Sequence, residues 1–111
     1  LAVRHTPLDP PARAVLVEDL ISTGGSALGS VQALREEAGA VVEHCVAICT
    51  YSFLSAARAF AGAGVEAHVL CDFATIVRVA VDQGYLSAGQ RELVLDWSRD
   101  PVAWGVRAGV A

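Results

Sequence analysis

Two adjacent acids, Glu18 and Asp19, stand just ahead of a run rich in hydroxyls and glycine, Ser22-Thr23-Gly24-Gly25-Ser26. Ionised carboxylates only accept hydrogen bonds, so such a pair suits sugar hydroxyls or a bridging cation and repels a phosphate. A glycine-rich turn that opens a helix does the reverse, because its free N–H groups and the helix dipole both favour an anion. The glycines let the backbone approach a ligand closely, and Ser22, Thr23 and Ser26 add hydroxyl donors. Together the two halves describe a site for a phosphorylated sugar, with the acids on the 2′ and 3′ hydroxyls and the turn on the 5′-phosphate. Any short piece of the pattern also occurs as a plain strand-to-helix turn with solvated acids and a serine cap; it is the whole run in register that singles it out. It is not a Walker loop, which needs Gly-Lys-Ser/Thr, and its glycines do not follow GxGxxG.

The elements that must position these residues follow from hydrophobic periodicity. Ala14-Val15-Leu16-Val17 reads as a parallel strand buried on both faces, with Glu18-Asp19 emerging at its C-terminal edge. From Ser26 the pattern turns helical, with Ala27, Val31, Leu34 and Ala38 on one face and Gly39 at the C-cap. A second strand is expected over Val41 to Thr50, an Ala-rich helix over Ser52 to Ala61 stopped by Gly62-Ala63-Gly64, and a third strand over Ala67 to Cys71. Asp72 then caps a helix ending near Gly84, and Ser87 with Gln90 makes a capping box for a last helix that stops before Pro101. Strands alternating with helices predict an α/β fold on a parallel sheet.

Composition bounds the rest. A chain of 111 residues, 54% hydrophobic and 18% charged, is at most one domain and needs a core. The net charge of −4 excludes a generic nucleic-acid or anionic-membrane surface, so an anionic ligand must be held locally. All eight basic residues are Arg, and there is no Lys. Cys45, Cys49 and Cys71 form no CxxC pair and sit in apolar runs, as reduced buried thiols of a cytoplasmic protein would. Cys45 and Cys49 share a strand parity and are expected on one buried face. No stretch is long enough to span a bilayer, and no signal peptide is evident. His44 and His68 read as packed or hydrogen-bonded residues rather than metal ligands, and Trp97 and Trp104 as anchors of the last helix.

With these residues in view, the run Glu18-Asp19-Leu20-Ile21-Ser22-Thr23-Gly24-Gly25-Ser26 resembles the phosphoribosyl pyrophosphate (PRPP) motif of type I phosphoribosyltransferases. Thr50-Tyr51-Ser52-Phe53, Asp82-Gln83-Gly84-Tyr85-Leu86, Asp96-Trp97 and Asp100-Pro101 make it similar to the orotate phosphoribosyltransferase branch, from about Ala14 to Trp104. The resemblance implies the C-terminal part of a three-layer, Rossmann-like phosphoribosyltransferase core over residues 14–111, with residues 1–13 a lead-in or remnant of a mobile loop region. It also implies transfer of the 5-phosphoribosyl group of PRPP to orotate, giving orotidine monophosphate and pyrophosphate, with Mg²⁺ bound through PRPP rather than directly by the protein. Glu18 and Asp19 are then the catalytic acids. The PRPP-binding residues are Glu18, Asp19, Leu20, Ile21, Ser22, Thr23, Gly24, Gly25 and Ser26, and Ser22 also meets orotate. The implied partners are PRPP and orotate, with neither nucleic acid nor membrane, in a cytoplasmic homodimer.

The chain departs from the family pattern in two places. Family members bring Lys from a mobile loop onto the pyrophosphate, whereas this chain has none, and Thr50-Tyr51 stands where some members carry Asp-Arg. The chain starts at Leu1 rather than Met, as a fragment or processed product would. On its own it is expected to keep half a PRPP site, turn over little and self-associate through unpaired strand edges. Two other readings stay open: a type I enzyme for another base, and a non-catalytic PRPP-binding regulator or remnant.

Overall fold

The computed structural model describes residues 11–109. The lead-in over Leu1 to Pro10, including its expected short strand and the residues Arg4 and His5, lies outside them. The elements run β1 (Arg13–Ile21), α1 (Gly25–Glu37), β2 (Val41–Thr50), α2 (Leu54–Ala63), β3 (Glu66–Asp72), α3 (Phe73–Asp82), α4 (Ala88–Arg99) and α5 (Pro101–Ala108). The chain divides into two compact units, Leu1–Leu70 and Cys71–Ala111.

The first unit holds the βα alternation. The strands form one sheet in the order β1-β2-β3, with β1 and β2 parallel. Leu16 and Ile21 of β1 and Val42, Cys45 and Ala47 of β2 close a core with Ala27 and Val31 of α1 and Ala56 and Phe60 of α2. Small residues dominate because helices must approach the sheet closely, and Phe60 fills the space they leave.

A β-bulge keeps this inner face continuous. Ala14 pairs with Val42 but Val15 pairs with His44, so one extra residue, Glu43, is accommodated on β2. That shift lets Val42, Cys45 and Ala47 all face the helices despite the odd spacing between the first two. Cys45 is accordingly fully buried, while Cys49, further along, is only half-buried.

Arg35 near the end of α1 ties the unit together. Its guanidinium donates from Nη1 to the Ala63 carbonyl at 2.8 Å and from Nη2 to the Val42 carbonyl at 2.6 Å. It thus satisfies a carbonyl at the α2 C-terminus, where no intrahelical donor remains, and links that end to β2. Gly39 and Gly64 take φ of 64° and 67° just beyond α1 and α2, as expected of glycines that end helices, whereas Gly62 lies inside α2, which runs from Leu54 to Ala63 and not from Ser52 to Ala61.

Two expectations need correction. β1 runs on to Ile21 instead of ending at Glu18-Asp19, because its pairing with β2 continues to Ile21↔Thr50. Glu18 and Asp19 therefore lie within the strand. Nor is β1 buried on both faces: Val15 is 55% and Val17 74% exposed, because α1 and α2 cover only the opposite side.

The second unit is helical. Asp72 caps α3 by accepting from the Thr75 N–H at 2.8 Å, and hydrogen bonding to Thr75, from its side chain first and its backbone second, holds the carboxyl below the usual carboxylate range. Ser87 and Gln90 form both halves of the capping box on α4. Phe73 meets Trp97 edge to face at 5.8 Å, anchoring α4 on α3 as expected of Trp97. The sequence reading missed α5. Pro101 does not merely end α4 but occupies the first turn of α5, where its missing N–H costs nothing, and Asp100 caps it by accepting from Ala103 N–H at 3.0 Å.

Arg35→Ala is expected to lower unfolding stability by about 1.5–3 kcal/mol through loss of charged hydrogen bonds, read from the midpoint of urea denaturation. Arg35→Lys should recover only part of this, since one ammonium cannot reproduce the fork.

Candidate functional site

The C-terminal end of β1 and the turn into α1 bring the predicted site residues together. Pairing fixes Glu18 beside Ala47, Leu20 beside Cys49 and Ile21 beside Thr50. Glu18 follows the inward parity of Leu16 and is half-buried, whereas Asp19 is exposed on the other side of the strand. The alternation then slips, for Leu20 is 42% exposed and Ile21 is again buried. Asp19 accounts for part of this slip, as its Oδ1 accepts from the Leu20 N–H at 2.7 Å. The acid pair thus straddles the end of the strand, with one carboxylate on each side.

After Ile21 the chain bends through Ser22 and Thr23 to Gly24, which takes φ of 89° and is buried. A Cβ here would lie 3.1 Å from Cε2 of Phe60 and 3.7 Å from Cα of Ala56. Glycine is thus required twice, by the left-handed backbone and by the close approach of α2. Gly25 differs: an added Cβ would meet only Thr23 Oγ1 at 3.7 Å.

No side chain caps α1, and its first turn holds no acid. The Gly24 carbonyl accepts from the Leu28 N–H at 2.9 Å, which leaves the N–H groups of Gly25, Ser26 and Ala27 without helical acceptors. Ser22, Thr23, Gly25 and Ser26 are exposed around this end. Exposed donors, hydroxyls and the positive end of the helix dipole make a receptor for a phosphate-sized anion.

The loop after β2 forms the neighbouring wall. The Tyr51 N–H donates to the Ile21 carbonyl at 3.1 Å, tying the strand ends together. Ser52 adopts φ of 61°, steadied by a 3.0 Å bond from its N–H to Thr50 Oγ1, and Tyr51 stacks on Phe53 with centroids 5.4 Å apart. Beneath, the Cys45 thiol is pushed above its ordinary pKa, first by burial and then by the Glu18 charge.

The cross-strand placement of His44 and His68, their ring nitrogens 3.0 Å apart, has no counterpart in the sequence reading beyond an expectation of hydrogen bonding. The Glu66-x-His68 spacing was its one local signal, and the register that adds His44 is not local.

A parallel sheet with helices, and a turn of exposed donors at its strand ends, is the α/β arrangement found in phosphoribosyltransferase-type proteins. The structure superposes on the UMP synthase of Leishmania donovani with a TM-score of 0.64 over 72% of this chain and 17% of that one, at 18% identity, a likeness of fold. In sequence, the chain is 44% identical over 92 residues to the orotate phosphoribosyltransferase of Coxiella burnetii, covering 83% of this chain and 44% of the relative. It is 41% identical over 96 residues to that of Bacillus caldolyticus, covering 86% and 46%, and 38% identical over 99 residues to that of Porphyromonas gingivalis, covering 89% and 47%. No protein-family model matches the chain. The chain is thus similar to orotate phosphoribosyltransferases over most of its own length, and it spans less than half the length of these curated relatives. Among the described residues, no helix is long and apolar enough to cross a membrane.

Gly24→Ala is expected to cost about 1–3 kcal/mol of stability from the left-handed backbone alone, while Gly25→Ala should be near neutral; parallel urea titrations compare them. A second expectation concerns the thiols: in the native chain Cys45 should alkylate far more slowly than Cys49 and Cys71, and at equal rate once denatured, as read by mass mapping.

Proposed function

We propose that the protein containing this chain as its C-terminal portion transfers the 5-phosphoribosyl group of PRPP to N1 of orotate. The products are orotidine monophosphate and pyrophosphate, in de novo pyrimidine biosynthesis. The observation that carries this reading is the uncapped N-terminus of α1 set against the Glu18-Asp19 pair, in a chain whose relatives are named for that activity.

In this reading the N–H groups and hydroxyls from Ser22 to Ser26 hold the 5′-phosphate, and Leu20 and Ile21 supply the backbone that leads into the turn. Glu18 and Asp19 accept hydrogen bonds from the ribose hydroxyls on the two sides of the β1 end. As the bond from C1 to pyrophosphate breaks, positive charge grows on the ribosyl ring, and two fixed carboxylates lower its energy. In the same reading Ser22, first in the turn, touches orotate.

The donor set fits Mg²⁺ carried in on PRPP. Exposed Asp19 and half-buried Glu18 offer hard oxygen atoms beside the substrate hydroxyls, too few for an all-protein cage. When bound, the ion neutralises charge on the pyrophosphate. The rest of that charge falls to groups outside this chain, which has no Lys. We place residues 1–13 as the end of a loop region and residues 14–111 as one part of the transferase domain, in a cytoplasmic homodimer.

Titrating the chain with PRPP and Mg²⁺, followed by NMR, should shift resonances of residues 18–26; shifts confined elsewhere would defeat the proposal. In the full-length protein, Asp19→Asn should lower turnover about 10²–10³-fold with a smaller change in KM. The absence of Lys favours one rival, a PRPP-binding regulator, which predicts ligand binding without orotate-dependent pyrophosphate release from the full-length protein.

A further inference from the structure

β3 opens with Glu66-Ala67-His68, and the two-residue period of a strand puts Glu66 and His68 on one face. Ala67 and Val69 point the other way, into a hollow they share with Phe53, Ala56 and Phe60. On β2 the bulge turns Cys45 inward and leaves His44 on the uncovered face with Glu66 and His68. His44 Nδ1 lies 3.0 Å from His68 Nε2, and Glu66 Oε2 lies 3.9 Å from the first and 4.0 Å from the second.

We propose that His44, Glu66 and His68 form a binding site for one divalent transition-metal ion of the zinc type, which clasps β3 to β2. Two imidazole nitrogens at 3.0 Å cannot both present lone pairs to each other; a proton on one of them, or a cation shared by both, must hold them. Glu66 settles which arrangement the cluster suits. Its oxygen is almost equidistant from both nitrogens, yet too far to hydrogen-bond either, so it forms the third corner of a triangle. Zinc holds nitrogen and oxygen ligands at about 2.0–2.2 Å, which puts ligand atoms about 3.3 Å apart in a tetrahedron. The triangle brackets that spacing, and a small swing of the Glu66 side chain, 68% exposed, closes it. The histidine side chains are 45% and 48% exposed, so the ion enters from solvent and keeps water in its remaining position.

Two imidazoles and a carboxylate select zinc-like ions over Mg²⁺, which prefers all-oxygen surroundings. The cluster is also separate from the phosphate turn. His44 pairs with Val15 and Ala47 with Glu18, three residues further along, which is about 10 Å of strand. The ion therefore bridges two strands near the start of β3 and takes no part in the transfer reaction.

The test uses the 111-residue chain and Zn²⁺ alone, in competition with a chromogenic chelator, beside His44→Ala, Glu66→Gln, His68→Ala and the double histidine variant. Far-UV circular dichroism of each variant checks its fold. The wild type should bind one Zn²⁺, and each single variant should bind about tenfold or more weakly. In the wild type, Zn²⁺ should shift the ring signals of His44 and His68 but not those of His5, and should raise Tm, as any ligand specific to the folded state does. This NMR readout does not depend on any variant folding. The proposal is overturned by unaltered affinity in the folded double variant, by absent ring shifts, or, in a parallel titration with Co²⁺ in place of Zn²⁺, by a spectrum dominated by thiolate charge transfer, which would assign the ion to the cysteines.

Discussion

The ligand end of the first unit depends on how closely the start of α1 can descend onto α2. Gly24 makes that descent possible because it has no side chain, and Phe60 occupies the space where one would be. The contact is apolar and local, yet its effect is electrostatic. With Gly24 held left-handed and buried at the N-cap position, no side chain caps the helix terminus, so the first N–H groups stay available. Packing between two helices thereby keeps the start of α1 uncapped, and the strand that enters the turn is held by the Tyr51 bond to Ile21.

What could be read from the sequence was what local chemistry decides. The caps at Asp72 and Ser87, the glycines that end α1 and α2, and the acid-and-hydroxyl run all depend on residues within a few positions of one another. Where partners are distant, the reading fell short. β1 is longer than its apolar run because β2 continues to supply hydrogen bonds beside Glu18 through Ile21. Nothing local to Arg35 marks its role, and only the folded chain brings the carbonyls of Val42 and Ala63 to it. Pro101 was legible as an interruption but carried two meanings, and the Asp100 side chain decided for a new helix.

The sheet is unequal on its two sides. Toward α1 and α2 it is sealed by small apolar residues, while on the other side Val15, Val17, Ile48 and Leu70 are between 55% and 78% exposed. Parallel sheets of α/β proteins are ordinarily covered on both faces, and a patch of this kind marks a surface meant for contact. The relatives are more than twice as long as the matched region, so a working molecule of this family has further chain with which to cover such a face.

The bulge on β2 has a consequence for how the strand tolerates change in length. Val42 and Cys45 both face inward only because Glu43 is the extra residue between the paired positions Ala14–Val42 and Val15–His44. Removing Glu43 would restore regular alternation, with Val42 in, His44 out and Cys45 in, and would sacrifice only an exposed 2.9 Å ion pair with Arg13. Removing a residue from the regular stretch beyond it, such as Val46, would instead turn every later side chain to the wrong face. A strand that ordinarily cannot change length by one residue therefore contains one place, the bulge, where a deletion preserves the order of its faces.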